Sequence, residues 1–125
     1  MAWRKIELLA SAARTATVST AKQLTSNIKR ALVFIDVTAV TATPSVTPSI
    51  TVNKADPTST ADDTAAVLTG AAITATGNTI LQVGPGLYNV ANLVAGACIT
   101  DEWGVTMTHG DADSITYSVS AWIEE

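Results

Sequence analysis

Between Ala31 and Val40 the chain alternates with a period of two. Val33, Ile35, Val37 and Ala39 fall on one face of an extended strand, and Leu32, Phe34, Asp36 and Thr38 on the other. Both faces begin apolar and one turns polar after Phe34, which suits a strand passing from a central position toward solvent. Ala95–Thr108 reads the same way: Ile99, Trp103, Val105 and Met107 share a face with Asp101, opposite Thr100, Glu102, Thr106 and Thr108. Ser114–Ile123 places Ile115, Tyr117, Val119, Ala121 and Ile123 inward, with Thr116, Ser118, Ser120 and Trp122 outward. The Gly/Asp-rich turn His109–Asp113 separates these last two strands and predicts a hairpin.

Weaker elements fill the remainder. Strands are expected near Lys5–Leu9 and Thr15–Ser19, followed by a polar loop over Ala21–Arg30. The near-repeat Pro44-Ser45-Val46-Thr47, Pro48-Ser49-Ile50-Thr51 keeps a period of two through Val46, Ile50 and Val52, and its prolines place it at an edge or a strand start. Ala55–Thr64, with Asp56-Pro57, is a loop or hairpin tip. Thr64–Thr74 is a strand interrupted at Gly70, and Thr79–Val83 a short strand after a turn at Gly77-Asn78. Strands at this spacing without a helix predict an all-β fold, an antiparallel β-sandwich or Greek-key barrel. The length of 125 residues fits a single domain, with residues 1–9 as an N-terminal arm or first strand and residues 10–125 as the domain proper. Its core is expected to contain Val33, Ile35, Val37, Trp103, Val105, Ile115, Tyr117 and Val119.

Composition changes the picture of the surface. Charged residues make up only 14% of the chain, against about 25% in an ordinary domain. Alanine (21) and threonine (20) take up the difference, so the solvated faces are largely neutral and Thr-covered. Such a surface suits a protein that packs against copies or neighbours, and it is also common in bland secreted domains. Six of the seven basic residues, Arg4, Lys5, Arg14, Lys22, Lys29 and Arg30, precede position 31, and the acids dominate afterwards. A net charge of −4 excludes a phosphate-backbone partner, so no nucleic-acid binding is expected. The single cysteine, Cys98, permits no intrachain disulfide and reads as a buried small hydrophobe. No apolar run reaches the ~20 residues that span a bilayer, and Met1-Ala2-Trp3-Arg4-Lys5 does not open a signal peptide. No membrane association is expected, with synthesis in a reducing cytoplasm.

Candidate chemistry is sparse. Only His109 could serve as the base of a nucleophilic device, and it stands in the turn string His109-Gly110-Asp111-Ala112-Asp113-Ser114. That string lacks the ligand number of a calcium loop, and its Asp side chains are expected to bond their own turn. Gly84-Pro85-Gly86 lacks the Lys-Ser/Thr of a phosphate cradle. The acid pairs Asp62-Asp63 and Glu124-Glu125 are sequence neighbours, not carboxylates held across a cleft. No catalytic residue, cofactor site or metal site is expected. Trp3 and Trp122 are candidate interface anchors, with Arg4 and Lys5 beside them in the basic N-terminal segment.

Four stretches carry a resemblance to a known family. They are Leu8-Leu9-Ala10-Ser11-Ala12-Ala13-Arg14-Thr15-Ala16-Thr17-Val18; Val33-Phe34-Ile35-Asp36-Val37-Thr38-Ala39-Val40-Thr41-Ala42-Thr43-Pro44-Ser45-Val46-Thr47; Leu68-Thr69-Gly70-Ala71-Ala72-Ile73-Thr74-Ala75-Thr76-Gly77; and Thr108-His109-Gly110-Asp111-Ala112-Asp113-Ser114-Ile115-Thr116-Tyr117-Ser118-Val119. In this order they resemble short proteins encoded among the virion genes of tailed phages and prophages. The resemblance spans nearly the whole chain and brings no catalytic motif. Relatives often carry an aromatic-rich loop after the Asp-Pro, where this chain has Asp56-Pro57-Thr58-Ser59-Thr60-Ala61-Asp62-Asp63. The resemblance implies a non-enzymatic virion protein without fixing the part; the first expectation is a decoration (cement) protein on the capsid surface that bridges capsomers, its partners the major capsid protein and itself. A homotrimer is expected, with the N-terminal arm reaching a neighbour through Trp3. A tail or head–tail joining component and a host-surface-binding module are the alternatives.

Overall fold

The inward residues of the alternating segments decide the architecture. In a computed structural model, residues 3–20, 23–24, 30–54, 63–97 and 102–124 are described. They form ten strands: β1 (Trp3–Arg14), β2 (Val18–Ser19), β3 (Gln23–Leu24), β4 (Arg30–Val40), β5 (Val46–Lys54), β6 (Asp63–Thr69), β7 (Gly77–Val83), β8 (Val94–Ala95), β9 (Glu102–His109) and β10 (Ile115–Glu124). One sheet has the order β1-β10-β4-β7-β8; the other has β2-β9-β5-β6, with β3 also on β9. Every ladder is antiparallel except β7–β8. The fold is all-β, as the periodicity predicts.

Both sheets contribute to one hydrophobic cluster. The first supplies Val33, Ile35, Val37, Leu81, Val83, Ile115, Tyr117, Val119 and Ile123; the second supplies Val46, Ile50, Val52, Leu68, Trp103, Val105 and Met107. All eight residues expected in the core are buried. Trp103 is 1% exposed, and its indole N–H has no partner among the described residues.

Several local expectations are corrected. The first strand runs on through Arg14 instead of ending near Leu9, so the boundary expected at residue 9 falls inside β1, while the strand expected near Thr15–Ser19 is present as the short β2 in the other sheet. Residues 3–9 are first strand rather than arm. β1 accommodates its Ala-rich half by register shifts between Glu7 and Leu9 and between Leu9 and Ala12, irregularities that sheet edges tolerate. The long strand expected from Ala95 to Thr108 is instead two strands, because β8 and β9 lie in different sheets. Cys98, Ile99, Thr100 and Asp101 lie outside the described residues, as do residues 55–62 of the expected loop.

β9 and β10 are not a hairpin either. Gly110–Ser114 carries the chain from one sheet to the other, alongside the Thr41–Ser45 connection between β4 and β5. The two crossings are tied together. The Thr41 amide donates to Ser114 O (2.9 Å), the Gly110 amide to Ser45 O (2.9 Å) and the Thr43 amide to Asp113 Oδ2 (3.2 Å). Within its own turn Asp111 Oδ1 accepts from the Asp113 amide at 3.1 Å, the Asx turn expected there.

The proline repeat stands at a strand start, since β5 begins at Val46, and Pro48 lies between β9 and β6 rather than at a sheet edge. A residue of an antiparallel ladder points its N–H and C=O to the same side. Pro48 O accepts from the Gly70 amide at 2.8 Å, so its missing donor faces the point where β6 has just ended at Thr69. A Cβ on Gly70 would meet Pro48 Cγ at 2.8 Å and Leu81 Cδ2 at 3.3 Å. Glycine is therefore what lets the chain pass so close to the proline ring.

Candidate functional site: the outer face of the five-stranded sheet

Residues opposite each other in adjacent strands share a face, so the ladders read out the side of the first sheet that looks away from the core. One row across it is Lys5, Trp122, Leu32, Gln82; the next is Glu7, Ser120, Phe34, Ile80. Trp3, Glu124 and Arg30 form a third row at one end, and Ser118, Asp36 and Asn78 a fourth at the other. An antiparallel sheet with a solvated face alternates apolar-in and polar-out. This one departs from that rule: Trp3 (43%), Trp122 (38%) and Ile80 (47%) are exposed, and Leu32 and Phe34 are half-buried among them.

Three of the four expected interface residues, Trp3, Lys5 and Trp122, are thus brought onto one face. Arg4 pairs with Ile123 and belongs to the opposite side. Leu32, Phe34 and Ile80 complete the patch and were not singled out by the sequence reading. The signal for Leu32 and Phe34 was present, since both faces of β4 begin apolar. Ile80 sits in a short strand whose pattern gave no such cue.

Comparison with protein-family models, curated proteins and solved structures gave no match. The function is therefore argued from these residues.

One polar cluster lies where the two sheets approach. His109, at the end of β9, places Nε2 2.9 Å from the hydroxyl of Tyr117 in β10, with the rings tilted at 37°. The Arg14 guanidinium covers the Tyr117 ring at 4.7 Å. It donates from Nη1 to Tyr117 O (2.6 Å) and Ala12 O (3.2 Å), and from Nη2 to Ala10 O (2.6 Å). Ala10 lies inside the register shift of β1 and Ala12 at its end, so the Arg14 guanidinium bridges the irregular stretch. The ring's other nitrogen, His109 Nδ1, is buried without a partner among the described residues.

Burial holds the His109 pKa below its ordinary value; Asp111 opposes this and Arg14 adds to it. Burial pushes the Tyr117 hydroxyl up, against the pull of Arg14. An activated nucleophile needs the opposite, a lowered pKa beside a competent base. The pair is a neutral hydrogen bond joining the two sheets. Among the described residues, no group of three or more His, Cys, Asp or Glu stands close enough to hold a metal. Cys98, Asp62 and Glu125 lie outside them.

Proposed function

We propose that this chain is a non-catalytic structural protein of a tailed-phage particle, a capsid decoration protein that packs against the major capsid protein and against itself. The observation that carries the reading is the outward apolar face of the five-stranded sheet, where two tryptophans, Leu32, Phe34 and Ile80 share one surface. A contiguous patch of this kind marks an interaction surface on a soluble domain. Aromatic anchors supply contact area at low entropic cost, and the weakly charged, Thr-rich remainder suits close packing in a lattice. Many modest contacts repeated around a shell sum to firm attachment. The resemblance to virion proteins points the same way.

The test is to purify the particles and measure the protein's copy number relative to the major capsid protein. Decoration requires a fixed stoichiometry in the hundreds of copies, on the order expected for a lattice-wide contact. Cryo-electron microscopy should place the density over the capsid lattice. A few copies confined to one vertex would replace this reading with the tail or head–tail joining role, and absence from the particle would remove both.

A further inference from the structure

The outer face carries charge as well as apolar surface, and the charges are ordered. Along β4 the outward residues run Arg30, Leu32, Phe34, Asp36: basic, apolar, apolar, acidic. Along β1 they run Trp3, Lys5, Glu7, with Lys5 in the row of Leu32 and Glu7 in the row of Phe34. Both strands are therefore basic at one end of the face and acidic at the other. Glu124, beside Arg30, is only 3% exposed and presents little of its charge outward.

We infer that this face packs against the same face of a second copy of the chain, about a two-fold axis running across the strands between the Leu32 row and the Phe34 row. Such an axis reverses strand direction and keeps strand order. Lys5 then faces Glu7 of the second copy, Arg30 faces its Asp36, and Leu32 faces its Phe34. Trp122 lies over the small Ser120, and Ile80 over Gln82. No like charges oppose each other. A two-fold contact is isologous, so each favourable pair occurs twice, and two sheets stacked face to face keep their strands within about 30° of alignment. A head-to-tail ring uses two different patches and gains nothing from a pattern that complements itself. The contact area is modest: four strands about 4.8 Å apart and rows spanning six residues give a face roughly 20 Å on a side. That is about 400 Å² per copy and roughly 800 Å² in total, below the ~1,000 Å² of a stable interface, so the dimer is weak in isolation and is reinforced when copies are held together on a lattice.

This inference rests on reading the face as an interface, and is independent of what particle, if any, carries it. The experiment is sedimentation velocity on the isolated full chain over a concentration series. The wild type should pass from monomer to dimer. Glu7→Lys/Asp36→Lys makes the charges of the face all basic apart from Glu124, and Lys5→Glu/Arg30→Glu makes them all acidic. Each alone should weaken self-association by about ten-fold, several surface pairs changing sign together. Mixed in equal amounts they should form the heterodimer with wild-type strength, because every contact is again between opposite charges. Ile80→Lys, at an exposed position, should weaken the dimer without altering the melting temperature, and serves if a double variant fails to fold. A monomer at every concentration, a trimer, or variants whose mixture associates no better than either alone would overturn the inference. Attachment to particles, measured separately, would still report on the decoration reading.

Discussion

The hydroxyl of Tyr117 joins the two sheets through a single side-chain contact, and removing it gives a calculable result. Tyr117→Phe keeps the ring under Arg14 and nearly all the buried volume, so it isolates the 2.9 Å bond to His109 Nε2. His109 Nδ1 already lacks a partner among the described residues, so the variant leaves both ring nitrogens without a side-chain contact there. A net hydrogen bond is worth about 1 kcal/mol, and a stranded buried group adds to that, for a total of about 1–2 kcal/mol. For a domain of this length that lowers Tm by roughly 4–8 °C. Urea unfolding at pH 8, followed by the fluorescence of buried Trp103, measures it. In a His109→Ala background the same change should cost much less, with a coupling of about 1 kcal/mol in the double-mutant cycle. A coupling below ~0.3 kcal/mol would refute the assignment of this bond as the link. The pH dependence provides a second readout. His109 has a lowered pKa when folded, so below 6.5 the unfolded chain takes up the proton first, and stability falls as pH drops from there through the folded value. Tyr117 has a raised pKa when folded, so its contribution is complete below 10 and declines as pH rises above it. His109→Gln should flatten the acid limb and Tyr117→Phe the alkaline one.

Two further substitutions probe the packing. Gly70→Ala drives a methyl group into the Pro48 ring and should cost about 1–3 kcal/mol, since the ring cannot swing aside; an unchanged urea midpoint would show that β5 and β6 can separate there. Ile35→Ala should cost about 2–4 kcal/mol, while Ile80→Ala on the outer face should stay within ~0.5 kcal/mol, and equal effects at the two positions would mean that the faces of the sheet are wrongly assigned.

The faces of the main strands were legible because burial follows the period of two. Val33, Ile35 and Val37 in β4, Trp103 and Val105 in β9, and Ile115, Tyr117 and Val119 in β10 all point inward as their phase requires. Phase says which way a side chain points but not which sheet holds the strand. Gly110–Ser114 suits a hairpin as well as a crossing, and what decides between them is the set of bonds to Thr41, Thr43 and Ser45, some 70 residues away in sequence for the Asp113–Thr43 pair. Pro48 left an edge and a strand start both open, because a proline excludes a donor on one side only; here that side faces the end of β6. In β1 the alanines carry almost no pattern, and the pairing with β10 imposes the strand. The interface face was half legible. Trp122 stood out by its phase, whereas Leu32 and Phe34 gain their meaning from neighbours on β10 and β7 that local sequence does not identify. His109 read as a turn residue; its bond to Tyr117 follows from the sheet crossing and could not be found before it.

The strand that fills the gap between β1 and β4 is the last of the ten to be made. β10 pairs along both its edges, with β1 on one side and β4 on the other. β9, the strand before it, lies between β2 and β5. On the ribosome, therefore, each sheet exists for most of synthesis as separated pieces with unpaired inner edges, and its earliest and latest segments must find each other across almost the whole chain. Contacts of such long sequence separation make for slow folding, and open strand edges invite pairing with other nascent chains meanwhile. Within β1 that hazard sits in the first half, which carries Trp3, Ile6, Leu8 and Leu9, whereas the second half, with Ala10, Ala12 and Ala13, offers a wrong partner little apolar surface.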